Sequence, residues 1–336
     1  MILVTGGTGL VGQAVLRLLT ARGKAVTALV RPGAGAEFVG RLGAEPLAGV
    51  VEDPAVWRRE FPGLEAVVHA AAIVAARASW DRFHRINVEG TRLAAQLARE
   101  RGVPLVHISS VAVYGRRTAD DDPGSVTEDH PPAPIVERDY YARSKRMAEE
   151  AILREADRGL RACSLRPCVI YGPGDRLLTP GILARARHGW LPRFGSGDRP
   201  LALVHSGSVA LAVAAALESG RGWGRAYNVT GDAPVTANMV IEAAGKVLGR
   251  TVRAVPVPAG MMLAAARAGE LGLRLLGPRR YPGTLQGAVR FWRGGDAYSS
   301  GRARDELGWT PNVRHSEALM EAFAAAGEKG IEPGVS

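Results

Sequence analysis

The chain has 336 residues, 46% of them hydrophobic, which suits one large domain or a main domain with a smaller lobe and excludes a disordered chain. Its net charge of +10 comes from 43 Lys and Arg against 33 Asp and Glu, but the cations are dispersed and not interleaved with aromatics. A solvated basic surface is therefore expected rather than a nucleic-acid groove, and a phosphate-bearing ligand is compatible with it. The N-terminus shows no basic region or cleavage site of a signal peptide, and no uncharged apolar stretch reaches the ~18 residues of a membrane span. With only two cysteines, both in an apolar run, these features point to the reducing cytoplasm.

From the start, apolar runs of strand length alternate with helical patterns. Ile2 to Thr5 reads as a strand and Leu10 to Arg22 as a helix with an apolar stripe. Further strands are expected over Ala25–Val30, Glu45–Val51, Ala66–His69 and Leu105–Ser109, with a helix over Trp80–Glu100. A helix over Tyr140–Ala156 and a strand over Ala162–Tyr171 follow. The first four strands lack polar alternation, as expected of a parallel sheet covered on both faces. Strands and helices alternating through short links predict a doubly wound α/β sheet of Rossmann type.

Cys163 and Cys168 lie in the last of these strands. At odd spacing they are expected on opposite faces, which argues against a disulfide, and two thiols alone do not make a metal site. After Pro173 the pattern loosens into helical stretches near Pro180–His188, Ser208–Glu218, Ala237–Leu248, Ala259–Leu276 and Ser316–Ala326, broken by Gly and Pro. The reading assigns residues 1–172 to the Rossmann core, with 203–230 returning to it. Residues 173–202 and 231–330 form a smaller, mostly C-terminal substrate lobe over the carboxyl ends of the strands. Ala259–Leu276 reads as an amphipathic helix lining a cleft, an interface between copies or a membrane surface.

Between the first strand and the first helix stands Thr5-Gly6-Gly7-Thr8-Gly9-Leu10-Val11-Gly12. In that position a glycine-rich turn lets the backbone approach a pyrophosphate, and the helix N-terminus offers free N–H groups. Gly6, Thr8, Gly9, Leu10, Val11 and Gly12 are therefore expected to hold a dinucleotide. Enzymes specific for NAD place an acid at the end of the second strand, on the ribose hydroxyls. Here Leu29-Val30-Arg31-Pro32 carries none, and Arg31 suits a 2′-phosphate, so NADP is expected ahead of NAD.

Tyr141-Ala142-Arg143-Ser144-Lys145 lies near the start of a helix, where residues four apart share a face. An ammonium beside a phenol favours the phenolate, and such a tyrosine can pass a proton to or from an alcohol oxygen. Ser110, in the pair Ser109-Ser110, stands at the end of a strand that opens on the same crevice and can hydrogen-bond that oxygen.

Glycine loop, strand-end serine and Tyr-x-x-x-Lys together resemble the extended short-chain dehydrogenase/reductases. His69-Ala70-Ala71-Ala72, Asn87-Val88-Glu89-Gly90-Thr91, Ser110 to Gly115, Arg166 to Asp175, Tyr227-Asn228-Val229 and Glu306 to Pro311 resemble that family's landmarks, so the likeness spans nearly the whole chain. It implies Ser110, Tyr141 and Lys145 as catalytic residues, with Tyr141 and Lys145 also touching the cofactor. It also implies cofactor contacts from Ala70, Ala71, Ala72, Asn87, Pro167 and Val169. An acid common near the end of the third strand is replaced by Gly49-Val50-Val51, so adenine contacts are expected from the backbone of Val50 and Val51. The acids usual after His205 are missing, and Leu201 stands where members that act on nucleotide-sugars carry an arginine. These departures favour the branch resembling 3β-hydroxysteroid dehydrogenases and dihydroflavonol reductases.

The expected function is hydride transfer between a nicotinamide and the ketone or secondary alcohol of a fairly apolar small molecule. The expected protein is a homodimer with no nucleic-acid partner and no metal. Two alternatives stand beside it: a nucleotide-sugar epimerase or dehydratase with transient hydride transfer, and a non-catalytic protein that senses the cofactor.

Overall fold

The computed structural model describes residues 1–33, 35–74, 78–115, 126–231, 233–275, 285–295, 297–311 and 313–328. In chain order the first half runs β1 (Ile2–Thr5), α1 (Leu10–Ala21), β2 (Val26–Val30), α2 (Ala36–Arg41), β3 (Glu45–Ala48), α3 (Pro54–Trp57) and β4 (Ala66–His69). It continues with α4 (Trp80–Phe83), a π-helical turn (His84–Glu89), α5 (Gly90–Glu100), β5 (Leu105–Ile108), a 3-10 turn (Val111–Tyr114), α6 (Tyr140–Asp157) and β6 (Ala162–Pro167). Then come β7 (Val169–Tyr171), α7 (Leu178–Ala186), β8 (Trp190–Arg193), β9 (Pro200–Leu201), β10 (Leu203–His205), α8 (Ser206–Ser219) and β11 (Ala226–Val229). The chain closes with β12 (Val235–Thr236), α9 (Ala237–Val247), β13 (Arg253–Pro256), α10 (Ala259–Leu275), α11 (Leu285–Arg293), α12 (Gly301–Leu307) and α13 (His315–Glu328).

Seven strands make one sheet in the order β11-β6-β5-β4-β1-β2-β3, and every pairing in it is parallel. Both faces are covered, which is why these strands read as unbroken apolar runs. Val4, Val68, Val106 and Cys163 pack on α1 and α8. Leu3, Val67, Leu105 and Ala162 pack on α3, α5 and α6. The order reverses between β1 and β4, so the carboxyl ends of those strands flank the crevice in which a doubly wound sheet binds its ligand.

The expected strand over 162–171 is two. Pro167 has no N–H for the ladder, and beyond it the chain leaves the main sheet, so β7 pairs with β10 in a separate two-stranded sheet. Cys163 and Cys168, expected on opposite faces, therefore lie in the same core, both buried and free. The expected helix over 80–100 is interrupted by the π-helical turn, which widens the helix around Asn87. β3 stops at Ala48, short of Val51.

A separate hydrophobic core is built from α7, α9 and α13 with Tyr171, Leu191, Leu203 and Phe323. Three residues of the stretch assigned to the lobe from sequence stand in the sheet's core. Ala303, Leu307 and Trp309 pack there, and the Trp309 indole donates to the Ser208 carbonyl at 2.9 Å. The expected helix end Leu276 lies outside the described residues. Among the described residues no helix is long and apolar enough to cross a membrane.

Candidate active site

The glycine loop leaves β1 at Thr5 and enters α1 at Leu10. Gly6 has φ +71°, and a Cβ there would stand 2.8 Å from the backbone of Ala70 and Ala71, so only glycine lets this loop meet the one after β4. A Cβ on Gly12 would lie 2.0 Å from the Gly6 carbonyl oxygen, which fixes how closely the helix starts beneath the loop. Gly9 caps α1 without any side-chain hydrogen bond to its first turn. It is exposed, and a Cβ on it would meet only the Gly6 carbonyl oxygen. An uncapped helix start with open space above it is the cradle a pyrophosphate needs. Thr8, Leu10 and Val11 are partly exposed around the same opening. Thr5 Oγ1 accepts from the Ala71 N–H at 3.1 Å and binds the loop of Ala70, Ala71 and Ala72 to this rim.

At the carboxyl end of β5, Ser110 and Tyr141 come together. The Ser110 side chain stands close enough to the Tyr141 phenol to favour its charged form, and Ser110 Oγ accepts from the Ala112 N–H at 3.2 Å. Tyr141 lies in the first turn of α6, which Asp139 caps by accepting from the Ala142 N–H at 3.1 Å. Burial raises the Tyr141 phenol above its ordinary value, the neighbouring Ser110 hydroxyl opposes that rise, and nearby Asp139 adds to it. A turn further on, Lys145 is buried, and its ammonium donates to the Ile108 carbonyl at 2.6 Å. Burial lowers the Lys145 ammonium to about 8, against the pull of Glu149. Among the groups that move the Tyr141 phenol, Ser110 is the one that lowers it, in the place where the sequence suggested Lys145.

Beneath these groups a polar row crosses four strands at one register level: Thr5, His69, His107 and Ser164. His69 Nδ1 meets Thr5 Oγ1 at 3.0 Å and His107 Nδ1 meets Ser164 Oγ at 3.1 Å, while the two rings stack 6.1 Å apart. Burial, and then the charge on Lys145, lowers His69 to about 3 and His107 well below the ordinary value. Both imidazoles are therefore neutral, and Lys145 is the cation of this layer. Behind it, Glu149 is held by Arg166 through Nε and Nη2 at 2.7 to 3.1 Å. Arg166 Nη1 also donates to the Tyr114 hydroxyl at 2.8 Å.

Asn87 was expected to touch the cofactor; its side chain is engaged within the protein. Its amide bonds both backbone groups of Ile73 and donates to Ser144 Oγ at 2.9 Å, so it ties the β4 loop to α6. The Val51 carbonyl accepts from the Trp57 indole at 2.8 Å, and its side chain is buried, while Val50 is partly exposed. Pro167 is buried at the end of β6, and Val169 is exposed beside it. Arg31 is exposed at the end of β2, with no partner among the described residues. A Cβ on Gly35 would run into Thr8, so the loop after Arg31 leans on the glycine loop.

Three supporting residues went unread in the sequence. Asp175 accepts from the N–H groups of Leu177, Leu178 and Thr179 and anchors α7. An acid just before a helical run is a capping signal that could have found it. Glu149 stands four residues after Lys145, a spacing that could have found it too. Nothing in the sequence pattern marks His107.

The model of the NAD dependent epimerase/dehydratase family matches residues 2–230. The chain belongs to that family. A 4-hydroxy-2-methyl-3-oxo-4-farnesyl-3,4-dihydroquinoline-1-oxide ketoreductase of Stigmatella aurantiaca is 31% identical, over 97% of this chain and 96% of that protein. Isoform 1 of the 3beta-hydroxysteroid-dehydrogenase/decarboxylase of Arabidopsis thaliana is 30% identical, over 78% of this chain and 62% of that protein. The UDP-glucuronic acid 4-epimerase of Bacillus cereus, solved with NAD, shares the fold at a TM-score of 0.73 and 18% identity, covering 98% of this chain and 99% of that one. The chain is an oxidoreductase of the extended short-chain type that uses a nicotinamide cofactor.

Proposed function

We propose that this enzyme reduces the ketone of a bulky apolar molecule, or oxidises the matching secondary alcohol, with NADP(H) as its preferred cofactor. The observation that carries the reading is the meeting of the Ser110 and Tyr141 side chains at the carboxyl edge, with buried Lys145 one turn away. A nicotinamide dinucleotide bound along the glycine loop supplies or accepts the hydride. A carbonyl oxygen entering between Ser110 and Tyr141 accepts from both hydroxyls. Tyr141 is protonated at neutral pH because burial raises it, so it donates its proton to that oxygen as the carbonyl becomes an alcohol. Lys145 spends one N–H on Ile108 and keeps two for ribose hydroxyls and for the charge that develops on Tyr141.

The named substrates of the two relatives, a farnesylated quinoline oxide and a steroid, support an apolar partner. So does Leu201, which is buried in the lobe's core where an arginine for a nucleotide diphosphate would be needed. The test is stoichiometry. With NADPH and a panel of apolar ketones, one NADPH should disappear for each alcohol formed. Conversion of a nucleotide-sugar with no net use of free cofactor would overturn the reading in favour of an epimerase.

A further inference from the structure

Against the lobe side of the cleft lies a groove of about 280 Å³, formed by α7, β8, α10 and α11. Its walls are Leu178, Leu191, Phe194, Met262, Val289 and Trp292, and the one charged group that lines it among the described residues, Arg185, sits over the Trp190 ring. The volume falls just under the ~300 Å³ at which whole small-molecule sites begin, so it suits part of a ligand.

The groove follows α7 outward from the catalytic side. A Cβ on Gly174 would stand 2.0 Å from Gln13 Nε2 of α1, so the loop before α7 is pressed on the cofactor helix. Asp175 then pins the first turn of α7 there. Leu177 lines the groove at that end and is 61% exposed, a large apolar side chain left open. At 1.5 Å per residue, residues 177 to 185 carry the groove about 12 Å away from it.

We propose that this groove is the subsite for the substrate's hydrocarbon tail, running out along α7 from a ketone held at Ser110 and Tyr141. The assignment rests on the ketone reading above. A second apolar protein surface is a poorer occupant, because the walls are recessed: Leu191, Phe194 and Val289 are buried.

Gly181 gives a clean test. It lines the groove, and a Cβ there meets nothing within 4 Å, so Gly181→Phe should fill the space without disturbing the fold. The probes are 2-alkanones from 2-pentanone to 2-undecanone, measured by calorimetric binding in the presence of NADP and by KM with NADPH. In the unmodified enzyme, affinity should rise about fourfold for each added methylene until the groove is full. Gly181→Phe should abolish that rise while leaving kcat and the 2-pentanone KM unchanged. Affinity independent of length in the unmodified enzyme, or a length dependence that survives Gly181→Phe, would overturn the subsite. Binding that depends on length and on Gly181, without NADPH consumption for any ketone, would uphold the groove and overturn the ketone reading instead.

Discussion

The sheet side and the lobe side of the cleft bury their functional groups by opposite rules. On the sheet side Lys145, Glu149, His69, His107 and Ser164 are polar, almost fully buried and tied to named partners. On the lobe side Leu177, which lines the groove, and Met261 and Leu271 of α10 are apolar and largely exposed. Proton transfer demands fixed geometry and controlled charge, which a dry, bonded layer provides. Holding a hydrocarbon needs only area and tolerates a loose surface. Substitutions on the sheet side should thus change rate, charge state and pH response, and substitutions on the lobe side should change substrate length preference.

The largest effect should come from Tyr141→Phe. It removes one hydroxyl from the sheet side, so fold and cofactor affinity should hold while kcat falls by about 10²–10⁴. Tyr140→Phe is the control. The Tyr140 ring packs on Trp80 and Phe83, away from Ser110, and its loss of a hydroxyl should be mild. The surviving rate of the unmodified enzyme should fall as pH rises through about 8, where Lys145 loses its charge. Turnover kept by Tyr141→Phe but lost by Tyr140→Phe would break the assignment of the proton donor.

Next comes the acid response of the sheet side. His69 is held neutral at about 3 by burial, against 6.5 when unfolded. Below pH 6.5 the unfolded chain takes up a proton that the folded chain refuses, so stability is present above 6.5 and is lost as pH falls toward 3. At pH 5 the loss from this one group is about 2 kcal/mol. His205, at the lobe boundary, is lowered to about 4 by burial and by His315, and adds a loss of the same sign. His69→Gln cannot titrate and can still meet Thr5. Its denaturant-derived stability should fall less between pH 7 and pH 5 than that of the unmodified protein. Equal losses in both would show that His69 does not stay neutral in the folded state.

The same contrast explains what could be read in advance. The parallel strands were visible as apolar runs because both faces of the sheet are covered, and the Tyr141–Lys145 spacing because one helix carries both. The break after Pro167 was missed because Val169–Tyr171 is apolar too, and only its partner strand, more than 30 residues on, shows that it left the sheet. The Glu149–Arg166 pair joins α6 to β6, and no local pattern announces a tertiary ion pair. The groove is assembled from four elements, each of which reads by itself as an ordinary lobe segment.

The smallest effect should be cofactor choice, because Arg31 is the most exposed of the residues assigned a charge-dependent role. An exposed arginine after a strand is ordinarily only solvated, and its place in the fold is what motivates the expectation of a role. It follows β2 directly at the carboxyl edge, and the loop it opens leans on Thr8 of the glycine loop. A ribose 2′-phosphate on a dinucleotide bound there would come within reach of a fork of N–H donors that has no partner among the described residues. NADPH should bind about tenfold more tightly than NADH, a difference of about 1.4 kcal/mol, and Arg31→Asp should reverse the order. Because the guanidinium lies in solvent, the preference should shrink as ionic strength rises, whereas the loss caused by Tyr141→Phe should not respond to salt. Titrations of the unmodified protein showing equal binding of the two cofactors at low salt would remove Arg31 from the site. A preference that ignored salt would move the phosphate contact to a more buried group.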